Sequence, residues 1–194
     1  MIKIFDNIIS KKEQETIKET FYGRNFPWYY APDISAANNQ HQTRPGFSHI
    51  FYIEGEKNSE YVDLITKISD NVNKKIKKKL NQHTVRSFLQ IPLNEKLLAS
   101  HSRHKEDTPH NTPHIDIKIP HTVFLYYVND CDGDTMIYNY KSKTSKDLPV
   151  YEDIKVKKQI TPKQGRVVIF DGMTWHSSTQ PATGPRCVVN FDMV

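Results

Sequence analysis

From residue 85 onward the chain is cut into short β-rich runs, and this pattern constrains the fold more than any other feature of the sequence. Residues 85–91, 114–119, 122–128, 166–170 and 186–191 are rich in Val, Ile, Phe and Tyr and are bounded by Pro, Gly, Asp or Asn. Asp132-Gly133-Asp134 supplies a turn between two of them. Several short strands with irregular links predict a mainly β fold of the sandwich or jelly-roll kind.

The front of the chain reads differently. Ser10 followed by Glu13 is a capping-box pattern that opens a helix running to about residue 22. Ser59 is expected to cap a second helix, in which Val62, Ile65, Ile68, Val72, Ile76 and Leu80 recur at helical spacing. That stripe would pack the helices on the outer face of one sheet. With no repeat or low-complexity linker, residues 1–194 read as one domain, helical over about 1–84 and β over about 85–194. Between the helices, residues 27–49 are polar, aromatic and aperiodic. The run Trp28-Tyr29-Tyr30 suggests a loop that closes over a site, a structural staple being the alternative.

Composition narrows the class. With 37% hydrophobic and 25% charged residues the chain fits an ordinary globular protein. No apolar run approaches the roughly 20 residues that cross a bilayer, so no membrane association is expected. Residues 1–6 lack the order of a secretory signal, and a cytoplasmic location is expected. Cys131 and Cys187 are expected as reduced thiols, neither having a zinc-ligand spacing. Much of the net charge of +5 sits in lysines 74–79, at the end of the second helix. A lysine-rich last turn suits the negative helix terminus, which makes a solvated face the favoured reading over nucleic-acid contact.

The chemistry concentrates in a few positions. Ile115, Ile117 and Ile119 alternate with His114, Asp116 and Lys118. On a strand, His114 and Asp116 would share a face opposite the isoleucines, so both could bind one ion. They supply two members of a two-histidine, one-carboxylate triad that leaves metal positions open. His176, after the run 166–170 and the turn at Asp171-Gly172, is the best third ligand. His104-Lys105-Glu106 is a decoy in a polar segment without strand pattern. Arg186 follows ten residues after His176 and shares a strand face with Val188 and Asn190. An arginine inside a sheet needs an anion, either an internal Asp or Glu or the carboxylate of a ligand.

Pro113-His114-Ile115-Asp116, Leu125-Tyr126-Tyr127-Val128-Asn129, Asp132-Gly133-Asp134-Thr135, Pro162-Lys163-Gln164-Gly165-Arg166, His176 and Arg186 occur in that order. From about residue 85 to the end, this set resembles the 2-oxoglutarate/iron(II) oxygenases of the prolyl-hydroxylase-like group. The resemblance implies a double-stranded β-helix with iron(II) held by His114, Asp116 and His176. It implies that Arg186 pairs with the distal carboxylate of 2-oxoglutarate and that Tyr127 shares that carboxylate, another hydrogen-bond partner for Tyr127 being the alternative. Ascorbate is expected only as an accessory reductant.

The implied activity is a dioxygenase that hydroxylates a protein or peptide side chain, proline first among the candidates. Hydroxylation of a free amino acid or small metabolite is the enzyme alternative, and a metal-binding jelly roll without turnover the non-enzyme one. Trp28, Tyr29 and Arg103 are candidate substrate contacts, ordinary loop anchoring being the other reading. Three departures matter. Collagen-type prolyl hydroxylases usually carry Lys where Arg186 stands. Nucleic-acid demethylases carry a second Arg where this chain has Asp192, which argues against a nucleic-acid substrate. Val188 replaces a small hydroxyl residue found in many members.

Overall fold

The computed structural model describes residues 1–32, 34, 44–93, 111, 113–144 and 154–194. Eleven strands and two helices follow one another along the chain among those residues: β1 (Lys3–Phe5), α1 (Lys11–Phe21), β2 (Tyr29–Ala31), β3 (Gly46–Ile53), β4 (Glu56–Lys57), α2 (Val62–Ile76), β5 (Gln82–Gln90), β6 (Thr122–Tyr127), β7 (Thr135–Lys141), β8 (Val156–Ile160), β9 (Val167–Asp171), β10 (Thr174–Ser178) and β11 (Arg186–Met193). They form two antiparallel sheets. The larger has the order β1-β9-β6-β11-β5-β3-β2, with β4 beside β3, and the smaller is β10-β7-β8.

Strand alternation divides the interior into two layers. Phe124 and Tyr126 of β6, Val167 and Ile169 of β9, and Cys187, Val189 and Phe191 of β11 face the helices, where they meet Ile17, Phe21, Ile65, Ile68 and Val72. The opposite parity, Val123, Leu125 and Tyr127 with Val168, Phe170 and Val188, packs against Ile137 and Ile160 between the sheets. Each fully buried Ile or Val contributes about 1.5–3 kcal/mol through the apolar surface it removes from water. Cys131 and Cys187 are both free thiols.

α1 starts at the Ser10/Glu13 capping box, with both reciprocal hydrogen bonds formed. α2 begins differently from its sequence signal. Ser59 Oγ accepts from Tyr61 N at 3.1 Å, ahead of the helix, and the N-cap Tyr61 makes no side-chain cap bond. The helix stops at Ile76 because Lys77 turns left-handed at φ 55°. Leu80 therefore joins the core from beyond the helix end. The lysines at 74, 75, 77, 78 and 79 are exposed around that terminus.

The front is less helical than its pattern suggested, since β1 to β4 all lie within it. β3 pairs with β5 along most of its length and β2 adds to β3, while β1 pairs with β9, so the first 84 residues supply both edges of the larger sheet. Short strands interrupted by glycine and polar residues carry too weak a period-two signal to stand out beside two helices. The expected lid at 27–49 is likewise built in where it is described. Trp28 Nε1 donates to Phe21 O at 2.8 Å, and its ring packs on Phe21 and Phe26. These contacts anchor the partly buried Trp28 to the core. Tyr29 starts β2, residues 46–49 belong to β3, and residues 35–43 lie outside the described ones. No helix among the described residues is long and apolar enough to cross a membrane.

Candidate active site

The segment expected as a strand at 114–119 is a single β-bridge followed by bends. His114 N donates to His176 O at 2.9 Å and His176 N donates to His114 O at 3.0 Å. This reciprocal pair sets the two imidazoles side by side, with ring centroids 4.8 Å apart. The chain then bends, and the isoleucines do not enter a common core. Ile115 packs near Met136 and Trp175, and Ile119 is 44% exposed. Pro120, which cannot donate to a sheet ladder, follows at once.

Despite that correction the three side chains converge. Ligand atoms of His114, Asp116 and His176 all lie within 4.8 Å of one another. His176 Nε2 is 3.1 Å from Asp116 Oδ2, and His114 Nε2 is 3.8 Å from Asp116 Oδ1. A register shift between Thr174 and His176 in β10 aims the ring inward, where it packs edge-on against Phe170. His176 Nδ1 donates to Thr174 O at 3.1 Å, which turns Nε2 toward the carboxylate. Burial alone would raise the Asp116 carboxyl, but His176, then Arg86 and His114, hold it well below the usual carboxylate range. Asp116 Oδ2 is buried without a hydrogen-bond partner. Two imidazoles and an orphaned carboxylate oxygen suit a divalent transition metal with open positions.

A cavity of about 270 Å³ runs from these residues to Arg186. β5 and β11 pair with Arg186 opposite Gln90, Val188 opposite Phe88 and Asn190 opposite Arg86, and all six line the cavity. Arg186 is 5% exposed. Its Nε donates to Gly133 O at 2.8 Å, Nη1 to Gln90 Oε1 at 2.8 Å and Nη2 to Thr135 Oγ1 at 2.9 Å. All three acceptors are neutral. Among the described residues no salt bridge reaches this guanidinium, and two of its five N–H groups remain for another acceptor. Burial pulls its pKa down, the cost of desolvating the charge outweighing what its neighbours, Asp134 among them, give back. Gly133 is required here, since a Cβ would sit 2.8 Å from Arg186 Cδ.

Tyr127 is fully buried between the sheets. Its hydroxyl donates to Thr135 Oγ1 at 2.7 Å, so it reaches Arg186 through Thr135 and is not among the residues lining the cavity. Burial raises its pKa to about 12, keeping the phenol protonated. Tyr29, 65% exposed, sits by register opposite Ser48 and thereby in line with Phe88, while Ala31 in line with Gln90 lines the cavity. Arg103 and the decoy His104-Lys105-Glu106 lie outside the described residues.

Sequence reasoning missed Gln90, Thr135 and a second group beside His114, Asp116 and His176. Arg86 Nη2 donates to Asp116 Oδ1 at 3.3 Å and to Asp192 Oδ2 at 3.2 Å. Burial, then the nearby Asp116 charge, pushes the Asp192 carboxyl above its ordinary range. His121 Nδ1 donates to Ile119 O at 2.7 Å, and its Nε2 faces Asp192 Oδ1 at 3.6 Å. A partial signal lies on β11, where Arg186, Asn190 and Asp192 share one face of a strand whose other face is apolar, whereas β5 is too polar for Arg86 and Gln90 to stand out.

No family model matches the sequence, and no curated protein sequence does. Solved structures do match. A viral collagen prolyl hydroxylase from Paramecium bursaria Chlorella virus-1, in complex with 2-oxoglutarate, is 14% identical with a TM-score of 0.55, over 99% of this chain and 94% of that one. A prolyl hydroxylase from Trichoplax adhaerens, bound to a fragment of hypoxia-inducible factor, is 13% identical with a TM-score of 0.59, over 98% and 82%. The α-ketoglutarate-dependent epimerase SnoN of nogalamycin biosynthesis is 10% identical with a TM-score of 0.65, over 100% and 78%. At these identities the likeness concerns architecture, and the architecture is the jelly roll of the 2-oxoglutarate/iron(II) oxygenases.

Proposed function

We propose that this chain is an iron(II)- and 2-oxoglutarate-dependent dioxygenase that hydroxylates a side chain of a protein or peptide, proline being the first residue to test. The observation that carries the reading is one cavity with two unsatisfied ends. At one end the buried Asp116 Oδ2 lacks a hydrogen-bond partner beside His176 and His114. At the other, the buried Arg186 meets only neutral acceptors. A metal cation fits the first, and a carboxylate fits the second.

His114, Asp116 and His176 would hold iron(II), and Arg186 would take the far carboxylate of 2-oxoglutarate. When bound, the metal and co-substrate would supply the oxidative chemistry with dioxygen as oxidant, one oxygen atom going to the substrate hydroxyl and the other to succinate as 2-oxoglutarate loses carbon dioxide. The protein's part is placement. Gln90, Thr135 and Gly133 lock the guanidinium, so little side-chain entropy remains to be lost when an anion arrives. Tyr127 fixes Thr135 from behind. Phe88, Leu125 and Val188 give the cavity apolar walls that limit water near the reacting atoms. Tyr29, exposed on the edge strand and aligned with the cavity face, is the retained candidate for substrate contact. The peptide-bound Trichoplax neighbour favours a peptide, and SnoN keeps a small molecule as the second reading.

The test is succinate release from 2-oxoglutarate by the iron(II)-loaded protein, with ascorbate as reductant, alone and with a panel of peptides and free amino acids. Mass spectrometry of each candidate should show a gain of one oxygen on a peptide. Oxygen gain only on a free amino acid would move the proposal to the second reading. No succinate under any condition, with metal bound, would leave a metal-binding jelly roll without turnover.

A further inference from the structure

We infer that Arg86 is a positioning residue for the metal centre: held by Asp192, it occupies Asp116 Oδ1 and leaves Oδ2 as the ligand atom. The inference rests on the metal assignment just given and goes beyond it, since it concerns groups behind Asp116 that hold no metal themselves. A carboxylate offered to a cation can bind through one oxygen or both. Here a single nitrogen, Arg86 Nη2, lies 3.3 Å from Asp116 Oδ1 and 3.2 Å from Asp192 Oδ2. Oδ1 is thus engaged, while Oδ2 stands 3.1 Å from His176 Nε2 without a hydrogen bond. The division leaves one carboxylate oxygen to the metal, which keeps further coordination positions open for other ligands.

The sheet makes this arrangement rigid. Arg86 on β5 pairs with Asn190 on β11, and Asp192 lies two residues further along on the same face. Asn190 Nδ2 donates to Asp192 Oδ1 at 3.1 Å, which fixes the second carboxyl. The Arg86 guanidinium lies over the Phe88 ring at 5.5 Å. The bend that carries Asp116 is anchored as well. His121 lies against Gly172 so closely that a Cβ there would stand 2.0 Å from its Nε2, and Gly172 N donates to His121 O at 2.9 Å. Groups behind a metal ligand that fix its orientation are worth about ten- to a hundredfold in metal affinity.

Asp116, His121 and Asp192 also bring ligand atoms within 4.8 Å of one another, which raises a second metal as the rival reading. Arg86 argues against it, because its guanidinium already bridges both carboxyls, and a dication there would face that charge at short range.

The experiment is titration of the metal-free full chain with cobalt(II), whose visible bands report coordination number and geometry. Wild type should bind one ion, and His176→Ala should lose it. Arg86→Met should weaken binding about ten- to a hundredfold and change the spectrum as Asp116 gains freedom to use both oxygens. Arg86→Lys should recover part of the loss. Asp192→Asn should lose less than Arg86→Met, since its single amide oxygen can still accept from Arg86 though the contact with Asn190 is given up. If Arg86→Met fails to fold with two buried carboxyls facing each other, the double variant R86M/D192N removes that conflict and carries the same expectation. Wild-type affinity and spectrum in the Arg86→Met or double variant would overturn the inference. So would two bound ions in wild type falling to one in Asp192→Asn, because Asp192 would then be a ligand. Cobalt binding that survives His176→Ala would instead overturn the metal assignment itself.

Discussion

Two arginines on neighbouring strands of one cavity face have opposite surroundings. Arg86 on β5 is bracketed by Asp116 and Asp192. Arg186 on β11 is more deeply buried and has neutral acceptors at all three of its bonds. A buried charge met by the chain's own carboxyls is internal structure. One given only dipoles is poised for an anion from outside. The difference separates an arginine paired internally from one with only neutral partners, the proposed carboxylate site, which the residue type alone cannot do.

The largest effect expected from breaking this contrast is at the metal end. His176→Ala or Asp116→Ala should lower metal affinity by at least about a hundredfold and bring succinate release to background. The fold should persist, because the core is built from β6, β9 and β11 against the helices and not from the ligand segment. Metal titration and thermal melting measure the two separately.

Arg186→Ala comes next. A charge-assisted carboxylate contact is worth about 1.5–3 kcal/mol, so 2-oxoglutarate binding should weaken about ten- to a hundredfold with metal binding intact. Arg186→Lys should recover part of this, since charge remains and the fork does not. Tyr127→Phe should do less. Its hydroxyl acts through Thr135, so co-substrate affinity should change by less than about tenfold, with a stability loss of about 0.5–1.5 kcal/mol in denaturant melts. Equal effects of Tyr127→Phe and Arg186→Ala would mean that Tyr127 meets the carboxylate directly.

The smallest effect lies away from the cavity, at His49. Its Nδ1 donates to Pro27 O at 2.9 Å, and its Nε2 accepts from Ser59 Oγ at 2.7 Å. Burial holds its pKa below 6.5. The unfolded chain therefore takes up a proton near that pH that the folded site refuses. Stability should fall as pH drops through about 6.5 and level off below the lowered folded value. His49→Gln should flatten this dependence in denaturant melts between pH 7.5 and 5.5.

How much of this was legible in the sequence depended on the reach of each signal. The Ser10 cap and the apolar runs of β6, β9 and β11 are local, and the chain forms those elements. Residue type and spacing single out His114, Asp116 and His176, and their side chains do converge, although the first two do not lie on the expected strand. The bridge to His176 places His114, and the bend places Asp116, so the constellation survived a mistaken local geometry. For Trp28 the sequence leaves two readings, because an aromatic in an aperiodic stretch looks the same whether it gates a site or anchors a helix, and its contacts to Phe21 and Phe26 are those of an anchor. Arg86 and Asp192 were out of reach, since their pairing depends on the register of β5 against β11 and no local pattern encodes register.

The most direct test of the two-ended cavity is calorimetric titration of 2-oxoglutarate into the protein loaded with redox-inert zinc(II), beside the metal-free protein and zinc-loaded Arg186→Ala. The expected result is one-to-one binding to the loaded wild type, weakened about ten- to a hundredfold by Arg186→Ala and weakened also by omitting the metal. Equal affinity in all three samples would show that 2-oxoglutarate binds elsewhere, and would contradict the assignment of both ends.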